Sequence, residues 1–370
     1  MKIIYIVETT EALHAVELVE TISLVLKNGG YDVKVIIVGK ADVKFSNHEN
    51  ITYSKFEGYY SLFRFLLKKR DEKFIFTTVS TRNSLPLAVC SILIKKCYFY
   101  VHNLRSWHKY NYLGLNYRTV LSCLGTIFKK IILTQTKGVI VANEKMEKYF
   151  SKYIVGNNLS LHVIPFKLMN KQTNPSFLLN ERKPIRIVVP GAVDFSKKRI
   201  DIFREAFESF KLDGKADFNI ILLGKLKSKV ELEYCREWAA STQLNISYYE
   251  GFIDGRTFES ELIDADVILG YIHPNYQDKY HQEIYGITKD SGLDAQAYSY
   301  SKPLIINKEF GACSFYLSST LMYQSSNDLV GILNSLKTPG FLSKLSEEAQ
   351  GNAHFISVEQ VSEKSAKFFN

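Results

Sequence analysis

The chain has 370 residues, 46% hydrophobic and 23% charged, too long for one ordinary domain and suited to two of about 150–200 residues with cores of their own. Its net charge of +9 is uneven: residues 1–170 hold 24 Lys+Arg against 12 Asp+Glu, and residues 171–370 hold 23 against 26. The basic first half predicts an anionic membrane surface as a partner, and the lack of helix-turn-helix, zinc-finger or RNP-like patterns excludes the common nucleic-acid readers.

The five cysteines (Cys90, Cys97, Cys123, Cys235, Cys313) are odd in number and form no C-x-x-C pair, which reads as reduced thiols in a cytoplasmic protein. Residues 2–7 are apolar and β-branched; five apolar residues before Glu8 are too few for a signal-peptide core, so the stretch reads as a first strand. A helix follows over 11–28, with Leu13, Val16, Val19, Ile22 and Leu26 at helical spacing and Gly29-Gly30 as its stop. Strands are then expected at 31–39, 73–79, 97–102, 138–143 and 161–165, and helices at 59–69, 84–95, 115–136 and 144–152. Near-continuous apolar strands separated by helices predict a parallel sheet covered on both faces. The 115–136 stretch carries Arg118, Lys129 and Lys130 among Leu, Val, Ile and Phe, and reads either as a core helix or as one that dips into a membrane surface.

Residues 167–184 have no period and carry two prolines, as a linker would. The pattern then restarts: strands at 185–190, 218–224, 246–250, 267–271 and 303–307, helices at 198–210, 230–242, 258–263 and 292–300. The expected class is α/β, two Rossmann-like lobes with parallel sheets facing a central cleft: residues 1–170, residues 171–350, and a helix over 351–370 crossing back to the first lobe.

Ligands bind beyond the carboxyl ends of such strands. After 185–190, Gly191 permits a sharp turn, and Lys197 and Arg199 bring charge to a helix start, where free N–H groups favour phosphate. Gly224 and Lys225 end the next strand in the same way. In residues 283–297, Thr288, Lys289, Ser291 and Gly292 run into a helix and suit a diphosphate; the bland reading is an ordinary capped helix. In the first half, His102 closes a strand and could act on a proton or a sugar hydroxyl, Trp107 could stack on a sugar, and Thr10 and His14 at the first loop could, with Trp107, contact the acceptor. Asp264-Ala265-Asp266 mimics a D-x-D metal motif but closes a helix before a strand, so no metal is expected. Walker A, nucleophile-elbow and zincin patterns are absent.

These residues resemble GT-B glycosyltransferases of the retaining group 1 type that assemble bacterial polysaccharides. Pro190-Gly191-Ala192-Val193 with Lys197 and Arg199 resembles their "PG-x-v … K-R" loop; Gly224 fits the glycine after the next strand. Glu250-Gly251-Phe252 resembles a segment near the base, Ala265-Asp266-Val267 the "a-D-v" step, and residues 297–305 (AYSYSKPLI) the "E-A-m-a-x-g-k-P-v-I" signature. The signature's Glu is Gln296, its partner acid falls on Thr288, Ala192 replaces an Arg, and Thr9-Thr10 stands where a glycine pair is usual. The resemblance implies an acceptor domain followed by a nucleotide-sugar domain. It also implies a metal-independent hexosyltransferase without resident cofactor, transferring from a nucleotide-diphosphate sugar to a glycan or lipid-linked acceptor. His102, Lys197 and Lys289 would then serve catalysis; Gly191, Arg199, Gly224, Lys225, Gly251, Phe252, Thr288, Ser291 and Gly292 would hold the donor. The location expected is cytoplasmic, at the inner face of the membrane. A nucleotide-sugar 2-epimerase and a non-catalytic GT-B-like subunit are the alternatives.

Overall fold

The computed structural model describes the chain except residues 1, 11–12, 40–50, 52, 111, 113, 155–158, 171–183, 195–198, 210–216, 243 and 278–281, together with the side chains of residues 13 and 14. Apolar, β-branched runs form strands buried on both faces. Helices cover those faces, as the sequence pattern requires. In chain order the elements of the first half are β1 (Ile3–Glu8), α1 (Leu13–Asn28), β2 (Asp32–Val38), β3 (Tyr53–Phe56), α2 (Tyr59–Lys68), β4 (Lys73–Phe76) and α3 (Ser84–Leu93). They continue with β5 (Lys96–Tyr100), α4 (Tyr117–Gln135), β6 (Gly138–Val141), α5 (Glu144–Tyr153) and β7 (Ser160–Val163). The second half holds β8 (Ile185–Pro190), α6 (Ile200–Glu208), β9 (Phe218–Lys225), α7 (Lys229–Ser241), β10 (Asn245–Tyr249), α8 (Gly255–Ile263) and β11 (Val267–Gly270). A short hairpin, β12 (Asn275–Gln277) and β13 (Gln282–Ile284), precedes α9 (Gly292–Ser299), β14 (Leu304–Asn307), β15 (Thr320–Tyr323), α10 (Ser326–Leu336), α11 (Phe341–Ala353) and α12 (Val358–Phe369).

Two compact units result. One comprises Met1–Leu168, Asn275–Asp290 and Val358–Asn370; the other comprises Met169–Pro274 and Ser291–Ser357. The first unit has a seven-stranded parallel sheet in the order β3-β2-β1-β4-β5-β6-β7, and the second a six-stranded parallel sheet in the order β10-β9-β8-β11-β14-β15. Each follows the doubly wound order, with a switch point between its first and fourth strands, β1/β4 and β8/β11. The α/β class read from the sequence is the class observed.

In the first unit Ile4, Ile6, Phe74, Phe76, Phe99 and Ile140 are fully buried at the sheet's centre. From α12, Phe369 packs edge-on to Tyr98, with centroids 4.9 Å apart. Helix α4 reverses the usual pattern. Its buried side is Ser122, Gly125, Thr126, Lys129 and Ile132, while Val120, Leu121, Leu124 and Ile127 are exposed. The core-helix reading of 115–136 therefore holds for only part of its apolar surface. Among the described residues no helix is long and apolar enough to cross a membrane.

Candidate functional site

At the first unit's switch point the loops after β1 and β4 are joined through one carboxylate. Glu8 is 1% exposed, and its oxygens accept from Thr10 N (2.5 Å), Thr10 Oγ1 (2.9 Å), Thr77 Oγ1 (2.6 Å) and Thr78 Oγ1 (2.9 Å). A buried carboxylate needs such donors, and four of them satisfy both oxygens. Thr9 extends the network: its hydroxyl accepts from Asn83 Nδ2 at 2.7 Å, and Asn83 Oδ1 accepts from Ser80 N at 2.6 Å. Burial pushes the phenol of Tyr59 up, and the neighbouring Thr9 and Asn83 side chains oppose the rise. The Thr10 hydroxyl, an expected acceptor contact, donates to Glu8. The side chain of His14 lies outside the described residues.

His102 follows β5, half-buried, with Nε2 3.0 Å from the Thr77 carbonyl oxygen. A carbonyl only accepts, so Nε2 carries the proton, and in the neutral ring Nδ1 is the acceptor. Beside it, Lys289 Nζ donates to Asn103 Oδ1 at 3.0 Å and lies 4.9 Å from the Tyr276 ring centroid. This cation comes from a segment that the sequence reading placed wholly in the second lobe. Residues 275–290 belong to the first unit, and a single buried acid shows why. Glu283, 1% exposed, accepts from the backbone N–H groups of Arg105 (3.1 Å) and Ser106 (3.3 Å), which open a short 3₁₀ turn over Arg105–Trp107. Burial raises its carboxyl; the Thr288 hydroxyl, those two amides and the Lys129 charge oppose the rise. Lys129 is itself buried and donates to Ser106 Oγ at 2.7 Å. Leu104 N donates to Thr288 O at 2.8 Å, and Asn143 Nδ2 to Asp290 Oδ1 at 2.9 Å. Thr288 is fully buried, and its hydroxyl lies 2.7 Å from Ile284 N. It shapes the turn and offers no open face to a phosphate. Trp107, 1% exposed, is a core residue that cannot present a face to a sugar.

The second unit's loops after β8 and β9 are also laced together. Gly191 has φ 87°, in the left-handed region that favours glycine. Gly191 N donates to Leu223 O at 2.9 Å, and Val193 N to Lys225 O at 3.1 Å. A Cβ on Gly224 would lie 2.2 Å from Gly191 O, so close backbone packing accounts for that glycine without a ligand. Lys197 lies outside the described residues. Arg199 forks onto Asp201 at 2.9 and 2.6 Å, and each holds the other's charge. Asp194, which the sequence reading passed over, is buried and pairs with Lys227 at 2.8 Å. Ser291 caps α9, accepting from Leu293 N at 3.2 Å, and Gly292 is exposed at the helix start. Lys225 and Gly251 are exposed, and Phe252 is 82% exposed. Asp266 accepts from Arg186 N at 2.7 Å, a structural use of the D-x-D acid.

No protein-family model and no curated protein matches the chain in sequence. Solved structures do match its shape. A glycosyltransferase from Rickettsia africae has 15% identity and a TM-score of 0.68 over 100% of this chain and 97% of its own. The chain has the GT-B fold. A UDP-N-acetylglucosamine 2-epimerase from Listeria monocytogenes, described as putative, shares the GT-B likeness at 10% identity and a TM-score of 0.60, covering 98% and 94%. So does UGT2 of Phytolacca americana, solved with UDP-2-fluoro-glucose and pterostilbene, at 10% identity and a TM-score of 0.56 over 100% of both chains. At these identities the GT-B likeness speaks for the fold.

Proposed function

We propose that this chain is a metal-independent glycosyltransferase, without resident cofactor, that moves a sugar from a nucleotide-diphosphate sugar to a glycan or lipid-linked acceptor in surface-polysaccharide assembly. The observation that carries the reading is the GT-B likeness over the whole chain, with a neighbour solved around a nucleotide sugar. The step breaks the anomeric C–O bond to the diphosphate and forms one from the same carbon to an acceptor hydroxyl oxygen, whose proton passes to the departing diphosphate. Its growing charge is met by Lys197, Arg199, Lys289 and the N–H groups that open α9 at Ser291–Gly292. Residues Gly191, Gly224, Lys225, Gly251 and Phe252 shape or border the donor loops of the second unit. His102, held by Thr77 through Nε2–H, orients a sugar hydroxyl through Nδ1.

The test is a thermal-shift panel of UDP, GDP, TDP and CMP, followed by release of the matching diphosphate from its sugar when acceptor is added. A ligand that binds only the native state must raise its stability. No shift with any nucleotide supports a non-catalytic subunit instead, the reading favoured by Gln296 and Thr9-Thr10. The Listeria neighbour favours a second reading, a 2-epimerase; an epimer seen by NMR with donor alone would establish it. The reading includes attachment at the inner face of the membrane. The exposed apolar row of α4, flanked by the exposed Arg118 and Lys130, supports it.

A further inference from the structure

The amino edge of the first sheet carries a row of lysines. Lys2 precedes β1, Lys73 opens β4, Lys96 opens β5 and Lys137 precedes β6. These strands are neighbours, with Ile4 opposite Lys73 and Lys73 opposite Lys96. Strand spacing of about 4.8 Å therefore sets the four cations side by side. The edge is the one opposite Glu8 and His102. All four lysines line one cavity of about 490 Å³, which Tyr98 and Phe369 also bound.

The charges of the row are poorly neutralised. Lys2 Nζ donates to the Asn370 side-chain oxygen at 2.8 Å and Lys73 Nζ to the Phe369 carbonyl, both neutral acceptors. Lys96 and Lys137 are exposed and form no ion pair among the described residues. Of the two acids at the cavity, Asp71 is bound to Lys95 at 2.8 Å and also feels the charge of Lys96, and Glu72 remains. Burial, and then the charges of Lys2 and Lys96, hold the Lys73 ammonium below its ordinary range. Cations gathered around a concavity repel one another unless an anion occupies it.

We propose that this cavity binds a diphosphate-type anion through Lys2, Lys96 and Lys137, at a site separate from the nucleotide-sugar loops. Two sources share that chemistry, a soluble diphosphate compound and a phosphorylated lipid headgroup. The full chain carrying Lys289→Ala, which weakens the nucleotide-sugar site at a distance from this edge, is titrated calorimetrically with inorganic pyrophosphate. The comparison is with Lys96→Ala/Lys137→Ala, two exposed positions, and with Lys148→Ala/Lys152→Ala on α5, which removes equal charge elsewhere. One saturable site is expected, its Kd raised about tenfold or more by the first pair and left unchanged by the second. Flotation with phosphatidic acid vesicles against phosphatidylcholine vesicles separates the sources. Flotation lost in Lys96→Ala/Lys137→Ala and displaced by pyrophosphate assigns a lipid headgroup. Pyrophosphate binding with flotation indifferent to those lysines assigns a soluble ligand. Absence of saturable pyrophosphate binding, or equal weakening by both pairs, overturns the proposal.

Discussion

Lowering the pH should loosen α12 from the first sheet through one histidine. His162 on β7 stacks on Phe368 with centroids 4.8 Å apart and 18° between planes, and its Nε2 lies 2.8 Å from Ser365 Oγ. Burial, with Lys364 nearby, pulls its pKa down to about 4. The unfolded chain takes a proton on this residue near the ordinary value of about 6.5. A folded value below the unfolded one means that the neutral ring stabilises the fold fully above about pH 6.5, and that this contribution is lost as pH falls toward about 4. The full difference is about 3 kcal/mol, of which about 2 kcal/mol goes between pH ~7 and pH ~5. Each unit has one buried tryptophan, Trp107 in the first and Trp238 in the second. In a Trp238→Phe background, urea unfolding followed by Trp107 emission reports the first unit alone. His162→Gln keeps a partner for Ser365 and removes the titration. The parent should lose about 2 kcal/mol more than this variant between pH ~7 and pH ~5. Equal losses, or an NMR titration of His162 near pH 6.5, would refute the reasoning.

Further outcomes follow from other contacts. Ser301 occupies φ 54° with its buried hydroxyl unpartnered among the described residues, where the resembled signature has glycine; Ser301→Gly should stabilise the second unit by about 1 kcal/mol in denaturant unfolding. Gly224→Ala forces its Cβ onto the Gly191 backbone and should cost about 3 kcal/mol, with nucleotide affinity falling in the same titration. Lys289→Ala should weaken donor binding about tenfold or more by calorimetry while leaving the melting temperature nearly unchanged. Replacing Leu121, Leu124 and Ile127 by Ser should reduce flotation on anionic vesicles without loss of stability, because all three side chains are exposed.

The long elements were legible because their periodicity is local. Residues 2–7, 185–190 and 218–224 show as apolar runs, and they are β1, β8 and β9 within two residues at either end. What escaped was short or exposed. Strand β3 is a four-residue edge with an exposed face, and β12 and β13 have three residues each. Helix α10 did leave a mark, the capping box of Ser325 and Asp328, but an S-x-x-D after an unread strand carries little weight by itself. In the site, glycines and cations drew notice while the buried acids Glu8, Asp194 and Glu283 did not. An acid ending a strand looks solvated in sequence, and only the fold reveals the hydroxyls and amides that surround it.

Glu283 shows what that omission hides. Its partners lie 178 and 177 positions away, so no local pattern could place them. Once the carboxylate is seated on the Arg105 and Ser106 amides, the turn behind it is fixed by backbone. Thr288 O takes Leu104 N, and Lys289 bridges Asn103. The Lys289 backbone is therefore positioned by bonds that its own side chain does not make, and the ammonium adds its bond to Asn103 Oδ1. Losing that side chain removes the cation with its contacts to Asn103 and Tyr276 but leaves the backbone of the loop standing, so Lys289→Ala reads the cation rather than the loop. Glu283→Gln instead turns an amide N–H toward one of the two backbone N–H donors and leaves buried Lys129 without its opposing charge. It should cost the first unit about 2–3 kcal/mol and displace the cation as well. If the nucleotide-sugar reading is right, the two variants lose donor affinity alike and only the second loses stability. A Glu283→Gln variant with unchanged stability would mean that the acid does not hold the loop.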